Sequence, residues 1–222
     1  MNKVSKQLKD VYNQISQEFS ASRVFPWEEL QVFIPYIKDN FKILDLGCGN
    51  GRLLKSLEES NKKFDYTGID FSEGLIKQAQ ENFPEHKFTV ADMRELDFPE
   101  NSFDMVFSIA AFHHLDKKSD RIKLLKKLNK CLKPGGYLFM TNWNLLQKKY
   151  FKDYLKYWWR KKSWNDFFVS WSKYSGDNKK HWRYYHSFTK AELEKLLEKT
   201  GFELQPKGVY HTKWNINCFV KK

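Results

Sequence analysis

Short apolar segments alternate with stretches of helical spacing along most of the chain. Segments at about 42–46, 65–69, 87–91, 103–109 and 137–143 are dominated by apolar or β-branched residues. They read as strands buried on both faces, as in a parallel sheet covered by helices. Between them the apolar residues recur at helical spacing, which predicts helices at about 51–59, 73–82 and 119–132. Lys133-Pro134-Gly135-Gly136 reads as helix-stop and turn chemistry. Upstream, Leu8, Val11, Tyr12, Ile15 and Phe19 predict one amphipathic helix, and Leu30, Phe33, Ile34 and Ile37 a second. The chain closes with a predicted helix near 189–200, stopped by Gly201, and two strands around 202–210 and 213–220. Strands alternating with helices predict an α/β fold with a parallel sheet and helices on both faces. No internal repeat is visible.

The first strand runs into Asp45-Leu46-Gly47-Cys48-Gly49-Asn50-Gly51, and a helical pattern starts at Arg52. Strand, glycine turn and helix together make a nucleotide site. Glycine lets the backbone pass close beneath a ligand, and the helix start leaves N–H groups free. The dinucleotide fingerprint G-x-G-x-x-G would need its third glycine at position 52, which is Arg52. The third glycine stands one residue early. This resembles the first motif of class I S-adenosylmethionine-dependent methyltransferases. That likeness implies Asp45, Gly47, Cys48, Gly49, Asn50 and Gly51 as cofactor-binding residues.

Acids follow at the ends of the next strands. Asp70 lies where a carboxylate can accept from both hydroxyls of a ribose, and Asp92 with Met93 is placed to meet an adenine amino group. Phe71 is placed to pack on the adenine. Each of Asp45, Asp70 and Asp92 could instead serve only to cap a helix, as Asp70 before Ser72-Glu73 would. Ser108-Ile109-Ala110-Ala111-Phe112-His113-His114 resembles the methyltransferase segment beside the methyl donor, so Ser108 and Ile109 join the cofactor set. Adjacent His113 and His114 are expected to point apart, one structural and one lining the pocket, with no metal.

Charge and composition add a partner. Over 222 residues the formal net charge is +12, and 17% of residues are aromatic. Basic and aromatic together suggest nucleic acid, because phosphates meet Lys and Arg while bases stack on rings. From Trp143 to Arg183 eleven Lys or Arg face three Asp, and six of the eight Trp lie there as well. Lys148, Lys152, Lys156 and Arg160 recur every four residues, which predicts a helix with a cationic stripe, continued by Lys161 and Lys162. The stripe reads as an RNA-phosphate track, against a solvated helix face or a membrane-surface helix. Three dispersed Cys form neither a disulfide framework nor a metal cluster, so a reducing compartment is expected. Neither an apolar signal core nor a run long enough for a membrane span occurs, and a cytoplasmic protein is expected.

Two further stretches narrow the resemblance. They are Val11-Tyr12-Asn13-Gln14-Ile15-Ser16-Gln17-Glu18-Phe19-Ser20-Ala21-Ser22-Arg23-Val24-Phe25-Pro26-Trp27 and His181-Trp182-Arg183-Tyr184-Tyr185-His186-Ser187-Phe188. With the His113-His114 segment they look like the tRNA wobble-uridine carboxymethyl methyltransferases. The resemblance implies a Rossmann-like fold with a seven-stranded, mostly parallel sheet, an N-terminal helical cap over residues 1–40, a cofactor core at 41–143, a basic aromatic helical insertion at 144–186, and a closing helix and strand hairpin at 187–222. It implies S-adenosylmethionine as cofactor, the tRNA anticodon stem-loop as partner, and a small activating subunit. Arg23 and Arg183 would hold the substrate carboxylate, with Tyr12, Tyr184, Tyr185, His186 and His113 around the uracil. A carboxylate is already a nucleophile at neutral pH, so no general base is needed and catalysis is positioning. The alternative is a small-molecule oxygen, nitrogen or carboxyl methyltransferase on the same scaffold.

Overall fold

The computed structural model describes residues 2–23, 28–150, 155, 163–171 and 181–222. Two helices open the chain, α1 (Lys3–Gln14) and α2 (Ser16–Ala21). Alternating elements follow: β1 (Phe41–Leu46), α3 (Arg52–Glu58), β2 (Phe64–Asp70), α4 (Glu73–Asn82), β3 (Lys87–Val90), β4 (Phe103–Ile109), α5 (Lys118–Cys131) and β5 (Leu132–Trp143). Then come β6 (Asp166–Trp171), β7 (His181–His186), α6 (Lys190–Lys199), β8 (Glu203–His211) and β9 (Asn215–Lys221). The main sheet has seven strands in the order β3-β2-β1-β4-β5-β9-β8. Its first five strands pair in parallel, and β9 pairs antiparallel with both β5 and β8. Strand order reverses between β1 and β4, and ligands of open α/β sheets bind outside the carboxyl ends at such a point.

Alternation along the strands feeds two cores. Leu44, Leu46, Val106, Leu138 and Met140 pack on the side covered by α5 and α6, with Leu124, Leu128, Leu193 and Leu197. Ile43, Met105, Phe107 and Phe139 pack on the other side, with Leu54, Leu57, Ile76 and Ala79 of α3 and α4. Both faces are buried, which is why these strands read as apolar throughout.

Three local expectations change. Leu30 to Ile37 forms two 3-10 turns, Glu28–Val32 and Ile34–Tyr36, not a helix. Pro35 lacks the N–H a helix needs and clashes with the preceding turn, although Leu30, Phe33 and Ile37 still reach the core. Lys133-Pro134-Gly135-Gly136 does follow the end of α5 at Cys131, but it lies inside β5 as an irregularity and not as a separate turn: Phe103 faces Leu132, but Met105 already faces Tyr137. Lys133 Nζ holds Asp104 at 2.8 Å across it. The insertion is not all helical among the described residues. Lys148–Tyr150 is one 3-10 turn, and β6 pairs antiparallel with β7 in a separate two-stranded sheet. Exposed Lys148 is described; Lys152, Lys156, Arg160, Lys161 and Lys162 lie outside the described residues.

The N-terminal helices lie over the carboxyl end of the sheet. Leu8, Val11, Tyr12 and Ile15 pack with Leu75 and Tyr184. Polar contacts tie the same surface to α4: Lys9 Nζ meets Glu73 at 2.5 Å, Asn13 Nδ2 donates to Glu73 at 2.7 Å, and Ser72 Oγ donates to Asn13 at 2.7 Å. Gly74 makes the approach possible, since a Cβ there would stand 2.6 Å from Ser16 Oγ and 2.9 Å from Ser16 Cβ. Gly74→Val is therefore expected to lift α2 from α4 while sparing the sheet. Amide exchange across residues 3–21 should accelerate at least tenfold, with sheet amides unchanged. Equal acceleration in the sheet would show that the contact supports the whole fold.

Candidate active site

One large pocket opens at the carboxyl ends of β1, β2 and β4, beneath α1 and α2. The glycine turn forms its floor. Gly47 has φ +76°, and a Cβ on it would stand 2.2 Å from Ala111 Cβ, so only glycine fits. The Gly47 and Cys48 N–H groups donate to the Ile69 carbonyl at 2.7 and 3.0 Å, which fixes the turn to β2. At Gly49 a Cβ would meet nothing within 4 Å, so the backbone there faces open space.

Three acids line the pocket with this turn. Asp70 Oδ2 accepts from Gly49 N–H at 3.0 Å and Oδ1 from Ser72 N–H at 2.9 Å. Asp45 accepts from the Tyr66 hydroxyl at 2.8 Å, and its other oxygen is buried with no partner among the described residues. Burial pushes the Asp45 carboxyl up to about 7 and that of Asp70 up to about 6. Asp92 is different: Arg94 Nε donates to it at 2.9 Å, and Arg94 outweighs the upward push of burial to hold its pKa below the usual carboxylate value.

The other end of the pocket is cationic and aromatic. Arg183, 2% exposed, has its guanidinium carbon 5.0 to 5.8 Å from the ring centres of Trp171, Tyr185, Trp143 and Tyr12. Its NH1 donates to the Tyr12 oxygen at 3.5 Å, and its Nε has no partner among the described residues. Arg23 and Arg52 line the same pocket. Burial first, and then the charge of Arg23, bring the Arg52 guanidinium down to about 10. Burial likewise lowers Arg23, with repulsion from Arg183 adding to it.

The two histidines both line the pocket and touch each other, ring centres 4.6 Å apart. The 3-10 turn Phe112–His114 brings them together, where extended backbone would have parted them. His114 Nδ1 lies 2.7 Å from the Tyr184 carbonyl and Nε2 lies 2.9 Å from the Tyr12 hydroxyl. A carbonyl only accepts, so Nδ1 carries the hydrogen; burial brings this ring down to about 3, so it is neutral and Nε2 accepts from Tyr12.

Of the sequence-predicted residues, Tyr12, Arg23, Asp45, Gly47, Cys48, Gly49, Asn50, Asp70, Phe71, Asp92, Met93, Ile109, His113, Arg183 and Tyr185 line this pocket. Four do not. Gly51 starts α3 at φ +80°, and Ser108 is buried within β4. Tyr184 and His186 occupy the opposite face of β7 from Arg183 and Tyr185, because side chains alternate along a strand. There Tyr184 donates to Asp166 at 2.6 Å, and His186 lies 3.0 Å from Asp166 and 2.8 Å from Glu192. Arg52 and Trp143 line the pocket without having been singled out, and His114 lines it together with His113 where only one of the two was expected to. Arg52 had a signal, as the first helical residue after the glycine turn.

A glycine turn at a topological switch point with acids on the neighbouring strand ends makes a nucleoside-type pocket, and its far end is cationic and aromatic. The chain belongs to the class I S-adenosylmethionine-dependent methyltransferases, and its cofactor is S-adenosylmethionine. The family described as "Methyltransferase domain" matches residues 43–136. A protein of Encephalitozoon cuniculi named as a methyltransferase is 30% identical over 208 residues, covering 89% of this chain and 87% of that protein. The Schizosaccharomyces pombe protein named tRNA (carboxymethyluridine(34)-5-O)-methyltransferase is 27% identical over 221 residues, 92% of each chain. An Arabidopsis thaliana protein of the same name is 35% identical over 133 residues, and the match spans 31% of its length. Among solved structures, a SAM-dependent methyltransferase from Methanosarcina mazei superposes with a TM-score of 0.73 at 25% identity, covering 86% of this chain and 96% of that one.

The residues present fit the cofactor: an open backbone at Gly49, an unpaired buried oxygen on Asp45, and a carboxylate at Asp70 with lone pairs to spare. The raised acids also fix a pH dependence. Asp45 holds its proton to about 7 in the fold against 3.8 in the unfolded chain. Between those values the folded state binds more protons, so stability falls as pH rises. Without cofactor, Asp45 should make the protein about 2 kcal/mol less stable at pH 8 than at pH 5.5. Asp45→Asn should flatten that slope in urea unfolding measured at both values. An unchanged slope would clear Asp45 as its source.

Proposed function

We propose that this methyltransferase converts the carboxylate of a 5-carboxymethyl-type uridine at the wobble position of tRNA into its methyl ester. The observation that carries the reading is Arg183: a guanidinium buried among four rings, in the pocket, with no acid bonded to it among the described residues. A buried charge needs a partner, and a guanidinium fork meets a carboxylate in two hydrogen bonds. The S. pombe relative, similar over 92% of both chains, is named for this reaction.

Bound cofactor supplies an electrophilic methyl group. Asp70 would take the ribose hydroxyls, and the Gly47–Asn50 turn would run beneath the rest of the nucleoside. Asp92, already held by Arg94, and Met93 would border the adenine, with Phe71 beside it. Arg52, directly after the turn, suits the cofactor's own carboxylate, while Arg183, with Arg23 beside it, takes that of the substrate. Tyr12, Trp143 and Tyr185 enclose the base and exclude water. Lys148 and the basic residues after it are assigned to tRNA phosphates. No helix among the described residues is long and apolar enough to cross a membrane, and the reading places the enzyme in the cytoplasm with its tRNA. The implied small activating subunit is probed by whether the purified chain turns over alone.

Mass spectrometry of tRNA nucleosides after incubation with labelled cofactor tests the substrate directly: label in a 5-substituted uridine is expected, and label only in free metabolites would overturn the reading. Asp70→Ala should weaken cofactor binding by about 1.5–3 kcal/mol in calorimetry; unchanged affinity in the folded variant would remove Asp70 from the cofactor site. Arg183→Ala should lower kcat/KM on the modified anticodon stem-loop by roughly 30- to several-thousand-fold, the scale of about 2–5 kcal/mol. Arg183→Lys should retain part of the activity. Equal weakening of a stem-loop carrying the neutral amide would mean that Arg183 reads phosphate or supports the fold.

A further inference from the structure

The carboxylate reading gives the substrate one partner, Arg183. A second polar atom in the same pocket also lacks one. His113 is 1% exposed, and its Nε2 has no hydrogen-bond partner among the described residues. The other ring nitrogen settles what that atom is. The backbone N–H of Trp143 donates to His113 Nδ1 at 3.2 Å, so Nδ1 carries a lone pair and the ring's hydrogen sits on Nε2. Burial, helped by the neighbouring His114 and Arg183, holds this imidazole well below its usual protonation range, in keeping with that tautomer. The ring packs against Tyr185, centres 4.9 Å apart, and Tyr185 also lies within 5.4 Å of the Arg183 guanidinium carbon. His113 Nε2–H and Arg183 Nε–H are thus two buried donors on one aromatic wall, and neither can accept. His114 offers no acceptor to offset them, since Tyr184 and Tyr12 occupy both its nitrogens. The Tyr185 hydroxyl can turn its hydrogen either way and does not decide the matter.

We propose that His113 Nε2–H and Arg183 Nε–H form a donor-only seat, and that His113 makes the site choose a carboxylate over the equally shaped carboxamide. The proposal rests on the carboxylate reading above and adds the residue that sets its selectivity. A carboxylate offers lone pairs on both oxygens, whereas a carboxamide must turn its NH2 toward one of the two donors. A buried donor left facing a donor is heavily penalised, which is how a polar site rejects a close analogue. The Trp143 amide is the positioning group, because it denies His113 the other tautomer.

The test uses the full chain, saturated with S-adenosylhomocysteine, and two anticodon stem-loops carrying 5-carboxymethyluridine or 5-carbamoylmethyluridine. Wild-type protein is expected to bind the carboxylate loop 10- to 100-fold more tightly. His113→Phe keeps a ring against Tyr185 but removes the donor: carboxylate affinity should fall about tenfold, amide affinity should rise as the donor–donor clash is relieved, and the ratio should collapse. His113→Gln presents either an NH2 or an oxygen, so it should recover carboxylate binding in part while accepting the amide loop almost as well. Wild-type selectivity kept by His113→Phe overturns the role of His113, and if Arg183→Ala abolishes that selectivity the carboxylate reading still stands. No preference in the wild type overturns both. Cofactor affinity is measured on each variant; a fall there, with both loops weakened alike, marks a structural role and overturns the proposal.

Discussion

The Asp70 carboxylate joins the glycine turn, the start of α4 and, through Ser72, α1 on one side of the pocket. One oxygen accepts from the glycine turn after β1, the other from the start of α4. Ser72, which receives this hold through its own N–H, caps α4 with its hydroxyl oxygen at 3.3 Å from Leu75 N and donates to Asn13 of α1. Asn13 in turn accepts from Gly74 N–H at 3.3 Å. Floor, wall and covering helix therefore share one anchor. Two hydrogen bonds to an ionised acceptor are stronger than neutral ones, yet burial pushes this carboxyl up to about 6. The anchor is held under electrostatic tension that ligand hydroxyls would relieve.

Charge is laid out lengthwise. Asp45 and Asp70 lie at one end of the pocket, where burial raises both and the Asp70 charge adds to the rise of Asp45. Arg183 lies toward the other, on β7; Arg52, directly after the glycine turn, is lowered by burial and by Arg23, and Arg23 by burial and by Arg183. Bringing the ends together would satisfy both, but β1 and β2 fix the acids while β7 fixes Arg183. A ligand with hydroxyl donors at one end and carboxylates at the other completes the pairing. A methyl donor of the amino-acid nucleoside kind has that layout, and under the proposed reading an ionised substrate would extend it toward Arg183.

Most of the sheet was legible because burial on both faces leaves long apolar runs. Phe103–Ile109 stands out from any neighbour, and Asp70 could be placed from its distance after the glycine turn. Leu30 to Ile37 was misread because the apolar spacing survives in 3-10 turns while Pro35 removes the helix. The strands β6 and β7 were missed because the basic spacing from Lys148 onward suggested a helix, and Phe167-Phe168-Val169 or Trp182-Arg183-Tyr184-Tyr185 show no polar–apolar alternation. The tautomers of His113 and His114 left no trace in sequence. They are set by backbone groups of Trp143 and Tyr184, 30 and 70 residues away.

The stretch Arg183-Tyr184-Tyr185-His186 reads as one motif, but its members do two jobs. Cross-strand pairing sets Asp166 opposite His186 and Phe168 opposite Tyr184. On that face Asp166 accepts from the Tyr184 hydroxyl and touches His186, while Glu192 of α6 holds the far side of the imidazole. The polar cluster fixes β7 against β6 and α6 at residues outside the pocket lining. Its effect crosses the strand through the backbone. The Tyr184 carbonyl accepts from His114, His114 accepts from Tyr12, and the Tyr12 oxygen accepts from Arg183. The position of Arg183 is thus set from behind by its immediate neighbour in sequence and from the front by a helix 171 residues away. Replacing Tyr184 or His186 would disturb the pocket without either side chain lining it, and this is why a motif that looks wholly catalytic in sequence divides, at a period of two, into site and scaffold.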